Sequence, residues 1–124
     1  MQKPLAYIVE DDLDLANLFA MALQTSEFET RTFENGRLAI EAINSTLPEL
    51  IMLDLHLPDM TGEDVLNHLR TKPDFTGTRI IISSSQSAYA ASLREKVDFL
   101  LDKPVDYYQL CVLSSRLNPN LTTT

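Results

Sequence analysis

With 124 residues, the chain has room for one domain around a single core and none for a second of useful size. Its composition, 44% hydrophobic and 23% charged with three glycines, excludes disordered and fibrous classes. A net charge of −8, with ten basic residues scattered along the chain, speaks against a surface built to grip nucleic-acid phosphates.

After Met1-Gln2-Lys3-Pro4, the first apolar run is Leu5-Ala6-Tyr7-Ile8-Val9, nearly continuous as in a strand buried on both faces. With a strand so close to the first residue, no secretory signal is expected. The run ends in Glu10-Asp11-Asp12, and Leu15, Leu18, Phe19, Ala22 and Leu23 then form a helical stripe with Asp12 or Asp14 as its cap. Phe28 to Phe33 mixes polar and apolar residues, which suits a strand at a sheet edge. Ala39, Ile40 and Ile43 mark a second helix. Leu50-Ile51-Met52-Leu53 is a buried strand closed by Asp54. Thr61, with Asp64 three residues on, opens a third helix striped by Val65, Leu66 and Leu69. Ile80-Ile81-Ile82 is a fourth strand, followed by Ser83-Ser84-Ser85. A short fourth helix with a sparse apolar face is expected around Ala88 to Glu95. Phe99-Leu100-Leu101 is the fifth strand, and Asp102-Lys103-Pro104 follows it. Asp106 caps a last helix striped by Tyr107, Leu110, Cys111, Ser114 and Leu117.

Five βα units predict an α/β domain: a single doubly wound, five-stranded parallel sheet of order 2-1-3-4-5 with helices on both faces. The domain is expected over 4–117, with 118–124 as a disordered tail. Cys111 is the single cysteine, so an internal disulfide is excluded and the cytoplasm is the natural compartment. No apolar run reaches membrane-span length, so no membrane partner is expected.

Ligands of open α/β sheets bind at the carboxyl ends of the strands. Those ends carry Glu10-Asp11-Asp12, Asp54, Ser83-Ser84-Ser85 and Asp102-Lys103-Pro104. Taken singly, each has an ordinary reading as a helix cap, turn or loop. Taken together, they bring carboxylates, a hydroxyl and an ammonium to one edge. Carboxylates crowded in one pocket repel unless a hard cation joins them, and Mg²⁺ suits oxygen ligands shared with a phosphate. Asp54 would then be a nucleophile toward a phosphoryl group, forming an acyl phosphate. Lys103 and the metal would supply positive charge, and a serine hydroxyl a hydrogen bond.

The blocks Ile8-Val9-Glu10-Asp11-Asp12, Met52-Leu53-Asp54-Leu55-His56-Leu57-Pro58-Asp59-Met60-Thr61-Gly62 and Leu101-Asp102-Lys103-Pro104 resemble the signatures of the response-regulator receiver family, with its flavodoxin-like fold. The resemblance runs from about Pro4 to Leu117. It implies a two-component signalling switch with Asp54 as phospho-acceptor and Mg²⁺ bound by Asp11 and Asp54. Glu10 would act on the metal through water, and His56 would contribute its backbone carbonyl. Lys103 would be the paired lysine, and Lys103-Pro104 a cis bond. The family's hydroxyl, thirty residues beyond the acceptor, falls on Ser84. The implied donor is a sensor histidine kinase or phosphotransfer protein. A downstream target and phosphorylation-dependent dimerisation are further implied partners, and the only catalysis is the domain's own phosphorylation and dephosphorylation. Two features depart from the family pattern. Leu100 stands where a switch Tyr or Phe is common, and the segment from Ser84 to Lys103 is a few residues short, without the usual Gly-Ala turn.

Three other functions compete with that reading. A haloacid-dehalogenase-type phosphohydrolase needs a second Asp two residues past the nucleophile, where this chain has His56. An FMN-binding flavodoxin-like module needs a Ser/Thr/Gly phosphate loop after the first strand, where Glu10-Asp11-Asp12 would repel the phosphate. A docking-only receiver would have lost the acceptor, the acid pair or the lysine, and all three are present. His56 has no second His or Cys near it in sequence, so its side chain does not read as a metal ligand, and His68, on the polar side of the third helix, reads as surface. Cys111 reads as a small core residue, and Tyr89, Tyr107 and Tyr108 as packing or surface aromatics.

Overall fold

The computed structural model describes residues 2–121. Among them, β1 (Leu5–Val9), β2 (Glu29–Phe33), β3 (Leu50–Asp54), β4 (Arg79–Ser84) and β5 (Phe99–Asp102) form one parallel sheet in the order β2-β1-β3-β4-β5. Helices α1 (Leu13–Thr25), α2 (Gly36–Ser45), α3 (Gly62–Leu69), α4 (Ser87–Ser92) and α5 (Tyr107–Leu117) lie between and after the strands. Short 3₁₀ turns occupy Phe75–Gly77 and Arg94–Lys96. The expected strand order and the polar-mixed edge strand are both found.

The central strand β3 is buried along its whole length because both its faces are covered. On one face, Ile51, Leu53, Ile80 and Ile82 pack with Ala39 and Ile43 of α2, Val65, Leu66 and Leu69 of α3, and Ala90 and Leu93 at α4. On the other, Ala6, Ile8, Met52 and Ile81 pack with Phe19, Ala22 and Leu23 of α1 and Leu110 of α5. Each fully buried Leu, Ile or Phe among them contributes about 1.5–3 kcal/mol of transfer free energy.

The helix starts follow from short polar side chains placed at the caps. Asp12 Oδ1 accepts from the Leu15 N–H at 3.1 Å, and Asp106 Oδ1 from the Gln109 N–H at 2.9 Å. Thr61 and Asp64 form a reciprocal capping box on α3. These three caps are where the sequence put them. Asn35 caps α2 through the Leu38 N–H at 2.9 Å, a cap the sequence reading did not assign.

Two expectations need correction. Leu18, placed in the α1 stripe, is 36% exposed, and the buried face runs instead through Ala16, Phe19, Ala20 and Leu23. Small alanines let α1 lie close to the sheet, which turns Leu18 toward the rim. The disordered tail does not begin at 118: Asn118 is buried and donates to the backbone oxygens of Ser26 (2.8 Å) and Glu27 (3.2 Å). Asn120 N–H in turn donates to Asn118 Oδ1 at 2.8 Å. Of the segment expected to be a tail, residues 122–124 lie outside the described residues. Among the described residues, no helix is long and apolar enough to cross a membrane.

Candidate functional site

The carboxyl ends of β1, β3 and β5 bring three charged side chains together. Lys103 Nζ lies 2.9 Å from Glu10 Oε1 and 3.1 Å from Asp54 Oδ2. The carboxylates are almost fully enclosed, with side-chain exposures of 2% for Glu10 and 6% for Asp54, against 20% for Lys103. Asp11, exposed at the rim, completes an acid group: one ligand oxygen each from Glu10, Asp11 and Asp54 lie within 4.8 Å of one another.

Backbone donors aim the acids. Asp54 Oδ1 accepts from the His56 N–H at 3.2 Å, leaving Oδ2 to the ammonium. Glu10 Oε2 accepts from the Asp12 N–H at 3.2 Å. Glu10 Oε1 is buried, and among the described residues its one partner is the Lys103 ammonium at 2.9 Å. A buried carboxylate oxygen with a single partner has lone-pair capacity left, and a hard cation is a fitting further partner for it. Burial pushes the Glu10 carboxyl above its ordinary range, with Lys103 opposing and the Asp54 charge adding to the rise. For Lys103, burial works against the ammonium, but the two carboxylates outweigh it and raise its pKa.

The loop after Asp54 is held at several points. His56 pairs with Thr61 in an antiparallel bridge, and the Gly62 N–H donates to Leu55 O at 2.9 Å. The first turn of α3 lies so close to β3 that a Cβ on Gly62 would stand 2.4 Å from the Asp54 carbonyl oxygen. Asp59 reaches the start of α2, where its carboxylate accepts from the Gly36 N–H (2.8 Å) and the Arg37 N–H (2.9 Å). The Gly36 bond leads the effects that hold the Asp59 carboxyl below the usual aspartate range, and a helix N-terminus favours the anion. In the sequence Asp59 stands only as one member of the block that follows Asp54. Its contact spans 22 to 23 residues, which no local pattern reveals.

On β4, Asp54 stands opposite Ser83 in register, and Ser84 opposite Asp102. Ser84 follows the alternation of Ile80 and Ile82, so it belongs to the sheet face covered by α4. It is fully buried, and its Oγ accepts from the Gln86 N–H at 2.9 Å. The Lys103 N–H donates to Ser84 O at 2.9 Å, and the Lys103–Pro104 peptide is cis. The structure thus draws Glu10, Asp11, Asp54 and Lys103 into one cluster. It sets the His56 N–H on Asp54, with the His56 side chain exposed, and places Ser84 between the cluster's strands and α4. The other residues read as ordinary are mixed. His68 is half-buried, 2.8 Å from Asn44 Oδ1 on α2, and Cys111 is half-buried. Tyr108 is 80% exposed, whereas Tyr89 donates to Glu63 Oε1 at 2.8 Å.

The comparisons with known proteins agree with this geometry. The luminescence regulatory protein LuxO of Vibrio campbellii is 34% identical over 106 residues, which covers 85% of this chain and 23% of that protein. The DNA-binding transcriptional regulator NtrC of Escherichia coli K12 is 27% identical over 117 residues, 94% of this chain and 25% of that protein. The chain therefore spans about a quarter of the length of these relatives. The crystal structure of the signal receiver domain of a LuxO repressor protein from Vibrio parahaemolyticus superposes with a TM-score of 0.82 at 32% identity, covering 93% of this chain and 89% of that one. A CheY-like receiver domain from Methylobacillus flagellatus superposes at 0.83 with 26% identity, covering 93% and 98%. Residues 6–113 match the response regulator receiver domain as a family, and the acid cluster with its lysine at the strand ends lies inside that span, so this chain belongs to the receiver domains of two-component response regulators.

Proposed function

We propose that Asp54 accepts a phosphoryl group from a sensor histidine kinase or phosphotransfer protein in the cytoplasm, and that the resulting acyl phosphate switches the domain's effect on a downstream partner. The observation that carries this is the double hold on the Asp54 carboxylate, Oδ1 on the His56 N–H and Oδ2 on Lys103, inside a cluster of three acids. One oxygen of Asp54 forms the new bond to phosphorus while the bond to the donor breaks, and the leaving group keeps its electron pair. Lys103 stays beside the acceptor and takes up charge on the phosphoryl oxygens. Ser84 supplies a hydroxyl for one of those oxygens. The donor set of Glu10, Asp11, Asp54 and the His56 carbonyl is all oxygen and fits Mg²⁺, which when bound would neutralise the carboxylates and the incoming phosphoryl group.

The test is intact-mass measurement after incubation with acetyl phosphate and Mg²⁺. One added phosphoryl group is expected in the wild type and none in Asp54→Asn. A gain that persists in Asp54→Asn overturns the assignment.

A further inference from the structure

Helix α4 has six residues, of which only Ala90 is buried, with Leu93 buried just beyond its end. So short a helix with so small an apolar face has little to hold it by packing. Three polar contacts make up the difference, and each ends on a segment that carries the site. The Gln86 N–H donates to Ser84 Oγ at 2.9 Å. Ser87 Oγ donates to Asp102 Oδ1 at 3.1 Å, next to Lys103. Tyr89 OH donates to Glu63 Oε1 at 2.8 Å, and Glu63 follows Gly62, the residue packed on the Asp54 carbonyl. The Tyr89 ring packs against the core, and Lys96 Nζ sits 3.8 Å from the other Glu63 oxygen. β5 carries Leu100, which has no ring to swing between solvent and interior.

We propose that Tyr89 is the positioning residue through which α4 reads the Asp54 site, its bond to Glu63 forming the pivot on which α4 turns. The proposal rests on Asp54 being the phospho-acceptor. When a phosphoryl group on Asp54 draws the Ser84 hydroxyl toward one of its oxygens, the same rotation takes Ser84 Oγ away from the Gln86 N–H. The first hold on α4 is then lost. Of the two that remain, both end on carboxylates, but Ser87–Asp102 is exposed whereas Tyr89–Glu63 is half-buried, which makes it the stronger. The start of α4 swings while Tyr89 stays fixed to α3.

Backbone amide exchange over residues 86–96, with and without beryllofluoride and Mg²⁺, tests this alongside intact-mass phosphorylation. In the wild type, faster exchange on beryllofluoride is confined to 86–88. Tyr89→Phe keeps the ring and the phosphorylation yield, but it speeds basal exchange over 86–93 by about tenfold, and its beryllofluoride response spreads across the whole segment. Glu63→Ala matches it. Glu63→Gln, which can still accept the tyrosine proton, restores the wild-type pattern, a rescue that loss of packing alone would not give. A wild type that gains a phosphoryl group while Tyr89→Phe exchanges like wild type overturns the proposal alone, as does Glu63→Gln behaving like Glu63→Ala. A wild type that gains no phosphoryl group overturns the Asp54 reading and this proposal with it.

Discussion

Adding one methyl group at Gly62 should disturb the acceptor strand directly. The new Cβ would stand 2.4 Å from the Asp54 carbonyl oxygen, 2.9 Å from Leu55 Cα and 3.1 Å from the Asp54 carbonyl carbon. Cβ contacts under 3.0 Å are essentially never seen, so α3 and β3 must part by at least 3.0 − 2.4 = 0.6 Å, and backbone atoms cannot rotate out of the way. Overpacking of this kind costs about 1–3 kcal/mol. Alanine's better helix propensity returns only part of about 1 kcal/mol at a first-turn position. The net loss should be about 1–2 kcal/mol, which lowers a urea midpoint by about 0.5–1 M. Two other glycines calibrate the assay. Gly36→Ala would meet the flexible Met60 side chain, with Cγ at 2.4 Å, and should cost less. Gly77→Ala meets nothing within 4 Å and should unfold like the wild type. Phosphorylation of Gly62→Ala by acetyl phosphate should be slower by about tenfold or more, since the acceptor's backbone is displaced. Equal urea midpoints for all three variants would refute the reasoning.

Further substitutions separate roles within the site. Asp11→Asn should weaken Mg²⁺ binding strongly, whereas Asp12→Asn should matter much less, because Asp12 caps α1 and Asn is an equally good cap; equal effects in a Mg²⁺ titration would shift the assigned register by one. His56 and Gln86 each stand two residues past Asp54 and Ser84 with a backbone N–H on that side chain, so substitutions there should change the decay rate of phosphorylated protein without preventing phosphorylation; unchanged decay in both would count against this. Asp59 has its carboxyl held below the usual range, so its contribution to stability is present above about pH 3.9 and is lost as pH falls through the lowered value. In Asp59→Asn that part of the acid-side slope in urea midpoints should vanish, and a slope identical to wild type would contradict it.

What the sequence made legible is largely what is local. The runs at Leu50–Leu53 and Ile80–Ile82, the caps at Asp12, Thr61 and Asp106, and the charged residues just past each strand are encoded within a few positions, so periodicity and cap chemistry find them. The convergence of Glu10, Asp54 and Lys103 was also within reach, because a doubly wound parallel sheet must bring its strand ends to one edge. The contacts that tune the site were not. Asp59 on the start of α2, Tyr89 on Glu63 and Asn118 on the α1–β2 turn pair residues 23 to 92 positions apart, and nothing near either partner marks the match. Leu18 shows the same limit in packing. The stripe gives a helical face about 100° wide, but which edge of it meets the sheet is decided by the alanines that allow close approach.

The anchorage around Ser26 constrains how this domain can diverge. Ser114 Oγ lies 2.7 Å from Ser26 Oγ, Ser26 Oγ donates to Cys111 O at 2.9 Å, and Asn118 Nδ2 reaches Ser26 O at 2.8 Å, with Ser26, Ser114 and Asn118 all buried. Losing Asn118 takes a donor from the buried Ser26 carbonyl at about 1–3 kcal/mol, whereas the Ser26 and Ser114 hydroxyls also hold backbone oxygens of α5, so replacing those two together with apolar residues of matching shape can be nearly neutral. Positions 26 and 114, which meet side chain to side chain, should therefore covary across relatives, polar together or apolar together, whereas Asn118 rests on backbone carbonyls and follows neither. A reporter or partner domain fused after Leu121 would leave from a fixed point on the α1–β2 turn, so linker length counted from Asn118 would set its placement.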